Sequence, residues 1–232
     1  MPDALLIAHG APSDPDPQEA AMAALARETR AHLPDGWRVR GATLAAPGAI
    51  EAALAALDHP LIYPFFMAEG HFTRTLLPRR LRAAGAAGLV QLPCFGRSPC
   101  LPALVAAAAL DAATTARLAP EATILLLAAH GSKVSRASAT ATRALAAVLA
   151  RTTRFARIET AFIEEHPLIR TVATGLHPAI CLPLFALRAS HVAIDLPDAL
   201  AQAGFRGVRL DAIGEHPQVP ALIAAALRQP AQ

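Results

Sequence analysis

An internal repeat of about 120 residues constrains the fold of this chain more than any other feature of its sequence. Three pairs of segments match in the same order along the chain: 4–12 with 125–133, 63–81 with 182–200, and 92–110 with 210–228. Ordered matches at nearly one offset are difficult to obtain by chance. The repeat therefore predicts two tandem domains built on one plan, with residues 1–119 as the first and residues 120–232 as the second.

Each copy of the repeat alternates short apolar runs with longer alanine-rich segments. The apolar runs predict buried strands at 4–8, 39–44, 61–67 and 88–92 in the first copy, and at 123–129, 157–163, 179–186 and 207–210 in the second. The first helix has a clear start signal, with Asp16 as N-cap followed by Pro17 and Glu19. Strands that alternate with helices indicate an α/β fold of two doubly wound parallel-sheet domains, related by pseudo-twofold symmetry and separated by a cleft.

Histidines follow the first and third predicted strands in both copies. His9 and His130 stand where the first strand ends, each before a glycine, and His71 and His191 lie beyond the third strand. An alignment that matches the histidines pairs His71 with His191, 120 residues apart. Because ligands of open parallel sheets bind outside the carboxyl ends of the strands, we expect each copy to present two imidazoles at one mouth.

Two neutral imidazoles can ligate a borderline divalent cation, and they can also accept protons near neutral pH. A third candidate ligand, Glu164, ends the second strand of the second copy, where the alignment places Leu44 in the first copy. Asp195 is expected to orient His191, and its aligned residue is Thr75. The second copy thus has the fuller set of candidate ligands. A histidine at a strand end can equally be a hydrogen-bonded structural residue that a repeated turn preserves.

Composition excludes several classes of function. The net charge is only +3, which does not indicate a nucleic-acid partner. No apolar run approaches the roughly 18 residues that a membrane span needs, and the N-terminal segment lacks the basic residues of a signal peptide. We therefore expect a cytoplasmic protein. Its three cysteines include no C-x-x-C pair, so they predict neither a disulfide framework nor a structural zinc site.

Motifs of nucleotide and hydrolase sites are missing from the sequence. The string GSK at 131–133 lacks the first glycine of a phosphate loop, because position 126 is leucine. No G-x-G-x-x-G or G-x-S-x-G string occurs. ATP, dinucleotide and α/β-hydrolase sites are therefore not predicted.

A basic patch and two isolated carboxylates lie near the histidines in the sequence. The patch contains Arg74, Arg79, Arg80 and Arg82. It is interpreted either as a solvated helix face or as a rim for substrate carboxylates. Glu69 and Glu165 have no acidic counterparts in the other copy, and we interpret both as solvated.

The motifs resemble those of the class II chelatases, a family that includes sirohydrochlorin cobaltochelatases and ferrochelatases. The resemblance rests on AHGS at 129–132, on FIE at 162–164 and on LPLFALRASHVAIDLP at 182–197, with a weaker version of the same unit in the first copy. It covers nearly the whole chain as two tandem chelatase-type domains. It implies an enzyme that inserts Co²⁺ or Fe²⁺ into a sirohydrochlorin-type tetrapyrrole without ATP, in cobalamin or sirohaem biosynthesis.

The resemblance also implies roles for individual residues. Two histidines and an acidic residue would receive the metal, and the same histidines would help to remove the two pyrrole protons. These residues are His130, Glu164 and His191 in the second copy, and His9 and His71 in the first. In two-domain relatives the working histidines usually belong to the first half, whereas here only the second half has the acidic residue.

The resemblance implies no permanently bound cofactor, since the divalent metal is a substrate. The expected partner is an anionic tetrapyrrole whose carboxylates meet arginines, and a monomer with two pseudo-symmetric halves is favoured over a homodimer. The incomplete first site leaves an alternative open. In that alternative the chain is a non-catalytic protein on a degenerate chelatase fold, which binds a metal or a tetrapyrrole for delivery.

Overall fold

The computed structural model describes residues 2–188 and 191–229, and of His191 it describes the backbone alone. Within this part of the chain the strands are β1 (Asp3–Ala8), β2 (Arg38–Thr43), β3 (Leu61–Pro64), β4 (Ile124–Ala129), β5 (Arg157–Phe162), β6 (Ala179–Pro183) and β7 (Val208–Arg209). The α-helices are α1 (Asp16–Ala31), α2 (Ala49–Ala55), α3 (Leu77–Ala83), α4 (Leu101–Thr115), α5 (Ala137–Thr152), α6 (Ile169–Val172), α7 (Leu196–Gln202) and α8 (Val219–Arg228). Two π-helical turns, Phe72–Leu76 and His191–Asp195, lead directly into α3 and α7.

The strands form two parallel sheets. The first has the order β2-β1-β3 and the second the order β5-β4-β6-β7. The central strands β1 and β4 are almost wholly buried, as their continuous apolar sequences predict. The predicted class, two parallel-sheet α/β domains, is confirmed. Residues 88–92, predicted as a fourth strand, make only an isolated bridge between Ile62 and Gln91.

The chain divides into two compact units, each containing one sheet. Unit 1 comprises Met1–Ser98 and Pro217–Gln232, and unit 2 comprises Pro99–His216. Helix α8 therefore belongs to unit 1, where it packs against α1, and α4 belongs to unit 2, where it packs against α5 and β6. The last helix of each sequence repeat thus packs in the unit that contains the sheet of the other repeat. The repeat boundary at 119/120 stays a prediction from the sequence.

The structure fixes how the two repeats match, and the match differs by one residue from the alignment that pairs His71 with His191. Ala45 N–H donates to the carbonyl of His9 as Glu164 N–H does to that of His130, so Glu164 corresponds to Ala45 and not to Leu44. Both five-residue π-helical turns precede a helix with proline at its second position. His191 therefore corresponds to Phe72, whereas His71 lies one residue earlier. Asp195 likewise corresponds to Leu76, not to Thr75.

Helix α1 begins at Asp16, so that residue is not the N-cap that the sequence predicts. The Glu19 carboxylate does not close a capping box, because it accepts a hydrogen bond from the Thr43 N–H at the end of β2. Helix and sheet are thereby joined near the carboxyl edge of the first sheet. In the described part of the chain, no helix is both long and apolar enough to cross a lipid bilayer.

An ion pair between the buried carboxylate of Asp3 and the exposed Arg38 stabilises the amino-terminal end of the first sheet. The Asp3 carboxylate accepts two hydrogen bonds from Arg38, one of them 2.8 Å long, and another from the Asp58 N–H. Burial alone would raise the pKa of Asp3, but these hydrogen bonds outweigh it and hold the pKa below its ordinary value. The corresponding pair in the second sheet is Ile124 and Arg157, where no carboxylate is buried.

Arg38→Ala is expected to lower the free energy of unfolding by about 1–3 kcal/mol, because it leaves the Asp3 carboxylate buried with fewer donors. The matched variant Arg157→Ala should change it by less than about 1 kcal/mol, since Arg157 pairs with Glu159 at the surface. Urea denaturation of both variants measures the difference. In the wild type, the stabilisation from Asp3 is present above its ordinary pKa and is lost as the pH falls through its lowered folded-state pKa. Equal losses in the two variants would contradict this account.

Candidate metal centre

Both His-Gly pairs form the same turn at the carboxyl end of the central strand. Gly10 and Gly131 have φ values of 77° and 72°, the left-handed conformation that glycine adopts without strain. A Cβ at Gly131 would also lie 2.8 Å from Phe162 Cβ and from Glu165 Cγ. A side chain is therefore excluded at this position by backbone conformation and by space.

The turn also sets the tautomer of each histidine. Nδ1 of His9 lies 2.8 Å from the carbonyl oxygen of Gly10, and Nδ1 of His130 lies 2.8 Å from that of Gly131. A carbonyl oxygen can only accept, so Nδ1 carries the proton in each ring. The lone pair of the neutral imidazole is then on Nε2, where it can coordinate a metal or accept a proton.

In unit 1 the structure brings His9 and His71 to the same aromatic ring. The ring centroid of Phe72 lies 4.2 Å from that of His9 and 5.9 Å from that of His71, and both contacts are edge-on. His9 is half-buried and His71 is exposed. Both imidazoles therefore border the Phe72 ring, and their convergence on one metal stays a prediction. Ala45 occupies the position of Glu164, so this mouth has no acidic side chain at that place.

In unit 2 His130 and Glu164 are fixed beside each other through the backbone. The carbonyl oxygen of His130 accepts hydrogen bonds from the N–H groups of Ile163 and Glu164, at 3.1 and 3.0 Å. His130 is half-buried, whereas the Glu164 side chain is exposed. The side chain of His191 lies outside the described residues, although its backbone begins the π-helical turn. Its convergence with His130 and Glu164 stays a prediction.

Glu69 and Glu165, which the sequence analysis interprets as solvated, both accept hydrogen bonds from other residues. The Glu165 carboxylate, which is half-buried, accepts a hydrogen bond of 2.8 Å from the Ser132 N–H and so holds the loop after His130. Glu69 accepts one of 2.7 Å from the Arg74 guanidinium. The interpretation of Glu165 as solvated is wrong. The only sequence feature that could have indicated a role for Glu165 is its position directly after Glu164, at the end of a predicted strand.

The segment after the third strand of each sheet is held by a glycine in a short 3₁₀ turn. Gly96 N–H donates to the carbonyl of Phe66, and Gly214 N–H donates to that of Phe185, both at 2.9 Å. A Cβ at Gly214 would lie 2.0 Å from the backbone oxygen of Ala186. Only glycine allows this approach, which fixes the backbone at Ala186, five residues before His191 in the sequence.

An open cavity of about 690 Å³ lies beside the His130 turn in unit 2. Its lining combines two acidic residues, Glu164 and Glu165, with basic residues. The basic residues are Lys133, Arg136 and Arg170, together with His166. The volume is within the range of small-molecule sites. The carboxylates could bind a cation, and the basic side chains could bind an anionic organic ligand.

Two of the three cysteines, Cys94 and Cys181, are buried thiols. Burial raises the pKa of Cys94 to about 11 and that of Cys181 to about 12, so both thiols stay protonated. Among the residues that the structure describes, no three side chains of His, Cys, Asp or Glu converge to hold a metal. The predicted trio of unit 2 includes His191, whose side chain is not among them.

Comparison with known proteins identifies the family. The family model of CbiX matches residues 124–229. The solved structure of CbiX, the terminal enzyme for biosynthesis of siroheme in denitrifying bacteria, is 49% identical in sequence, with a TM-score of 0.91 over 99% of this chain and 100% of that one. The chain belongs to the CbiX family of class II chelatases. The match of the family model coincides with the second repeat, which contains His130, Glu164 and His191.

More distant structures share the fold of this CbiX family member. DR2241 from Deinococcus radiodurans, a multi-domain protein with structural similarity to chelatases, is 22% identical with a TM-score of 0.76, covering 100% of this chain and 56% of that one. SirB from Bacillus subtilis, solved with Fe³⁺, is 17% identical with a TM-score of 0.75, covering 98% and 95%. A comparison with curated proteins found no match.

Proposed function

We propose that this chain is an enzyme that inserts a divalent metal, Co²⁺ or Fe²⁺, into a sirohydrochlorin-type tetrapyrrole without ATP, in sirohaem or cobalamin biosynthesis. The observation that carries the proposal is the 49% identity to CbiX along essentially the full length of both chains. The metal is a substrate here, and the anionic macrocycle is the second substrate.

We assign the working site to unit 2, with His130, Glu164 and His191 receiving the metal. Three observations support this assignment: the family match to residues 124–229, the backbone hydrogen bonds that join His130 to Glu164, and the alanine at the corresponding position 45 in unit 1. A carboxylate next to imidazoles strengthens the binding of a divalent cation through its charge. His9 and His71 form a secondary pair in this proposal, without an acidic partner at position 45.

The tautomer of His130 suggests the order of events. Its single lone pair on Nε2 cannot hold the metal and accept a proton at the same time. Once the metal moves to the macrocycle nitrogens, that lone pair becomes available. The imidazole can then accept one of the two pyrrole protons that the metal replaces, and the imidazole of His191 can accept the other. The exposed Glu164 carboxylate can pass protons on to solvent.

A specific observation favours one alternative, a protein that binds a metal or a tetrapyrrole for delivery. In unit 1 the mouth has Ala45 where unit 2 has Glu164, and Phe72 where unit 2 has His191. If unit 1 had to hold the metal, binding would be weak and insertion slow.

An absorbance assay separates the two proposals. The full chain is mixed with sirohydrochlorin and Co²⁺, and the spectral change on insertion is compared with the spontaneous rate in buffer. We expect insertion at least tenfold faster than the spontaneous reaction, inhibited by prior chelation of the cobalt. Tight binding of sirohydrochlorin with no acceleration would contradict catalysis and support the delivery function.

A further inference from the structure

Unit 1 carries an open groove of about 590 Å³ whose lining is strongly basic. We call it the arginine groove. Its lining residues are Arg74, Thr75, Pro78, Arg79, Arg82 and Ala83. They come from the π-helical turn 72–76 and from α3, at spacings that place them on one side of the continuous helical segment. The groove therefore begins in the same turn as Phe72, whose ring contacts His9.

The positive charge of the groove is only partly neutralised. Arg79 and Arg82 are exposed, and no acidic partner of either occurs among the described residues. Arg74 pairs with Glu69 at 2.7 Å, yet its side chain is 71% exposed. Arg82, in the last turn of α3, also interacts favourably with the helix dipole. Arg74 gains nothing from this interaction, because it lies before the start of α3. Helix stability therefore does not explain the whole cluster.

The second repeat shows that the fold does not need these arginines. The residues that correspond to Arg74, Arg79 and Arg82 are Ala193, Asp198 and Ala201. The same helical segment is thus basic in unit 1 and acidic or neutral in unit 2. Unit 1 lacks the acidic metal ligand and has the arginines, whereas unit 2 has Glu164 and lacks them.

We propose that the arginine groove of unit 1 binds peripheral carboxylates of the tetrapyrrole. This inference rests on the proposed tetrapyrrole substrate. Guanidinium groups form planar, bidentate pairs with carboxylates, and two exposed groups on one helix face suit a ligand that carries several carboxylates. Arg79 and Arg82 are then substrate-binding residues, not metal ligands.

The test is a fluorescence titration of metal-free sirohydrochlorin with the full chain. Arg79→Ala/Arg82→Ala is expected to raise the Kd roughly tenfold at low salt. The matched variant Arg27→Ala/Arg151→Ala, which removes the same charge from exposed positions on α1 and α5, should raise it less than twofold. A sirohydrochlorin derivative with all carboxylates converted to primary amides should bind wild type and groove variant equally. The conservative variant Arg79→Lys/Arg82→Lys should give an intermediate Kd.

An unchanged Kd in the groove variant would overturn the inference. An equal rise in Kd for the matched variant Arg27→Ala/Arg151→Ala would also overturn it, because it would indicate a general charge effect. If the groove variant lost affinity equally for the amide derivative, the loss would be structural, and the inference would again be wrong. Circular dichroism confirms that each variant is folded. Since the titration contains no metal, it is independent of catalysis. A wild type that binds sirohydrochlorin without accelerating insertion contradicts the proposed catalysis and still gives a valid result for the groove.

Discussion

His130→Ala is expected to reduce the rate of cobalt insertion into sirohydrochlorin at least tenfold, whereas His9→Ala should reduce it less than threefold. The reason is the difference between the two mouths, because only His130 lies hydrogen-bonded through its backbone to a candidate acidic ligand, Glu164. The imidazole of His130 is proposed both to receive the metal and to accept a pyrrole proton, so its loss removes a metal ligand and a general base together. His191→Ala should have an effect similar to that of His130→Ala.

The measurement is the initial rate of the absorbance change with Co²⁺ and sirohydrochlorin both saturating. His32→Ala, which removes an exposed histidine after the end of α1, is the control and should retain the wild-type rate. If His9→Ala and His71→Ala reduced the rate tenfold while His130→Ala and His191→Ala did not, the assignment of the working site to unit 2 would be wrong.

Gly214→Ala is expected to lower the free energy of unfolding by about 3 kcal/mol and to reduce insertion at least tenfold. The new Cβ would lie 2.0 Å from the backbone oxygen of Ala186, and this oxygen cannot move aside without displacing the chain at Ala186, five residues before His191 in the sequence. Metal insertion should suffer because a small displacement of a ligand is costly to a metal site.

Gly175→Ala is the matched control in the same unit. Gly175 has a positive φ, 71°, whereas Gly214 does not, and a Cβ at Gly175 would meet no atom within 4 Å. It should cost only about 1 kcal/mol of stability, from backbone strain, and leave insertion unchanged. Urea denaturation and the absorbance assay measure both quantities. Equal effects of the two substitutions would show that the close approach to Ala186 does not position the site.

The repeat and the continuous apolar runs were enough to predict two parallel sheets, because a buried parallel strand needs little more than such a run. They could not predict which unit each final helix joins. Helices α4 and α8 are both alanine-rich, and their sequences do not indicate whether they pack within their own repeat or the other. The exchange of these helices between the units is therefore a property of tertiary packing alone.

The sequence predicted which candidate residues follow the strands, but not how those residues correspond between the two repeats. Matching histidine to histidine aligned His71 with His191, while the π-helical turns match Phe72 with His191. Each turn is followed directly by a Leu-Pro pair, and matching these pairs gives the structural correspondence. The alignment that paired the histidines gave more weight to one identical residue than to the Leu-Pro pairs. The hydrogen bond from Ser132 to Glu165 was missed for a similar reason, since it joins two loops that are adjacent only in the folded sheet.

A crystal structure of the full chain soaked with Co²⁺, with anomalous data at the cobalt edge, tests the central claim most directly. We expect one strong peak in unit 2, about 2.0–2.2 Å from Nε2 of His130, from the His191 imidazole and from a Glu164 carboxylate oxygen. A peak held by His9 and His71, with none at His130, would contradict it.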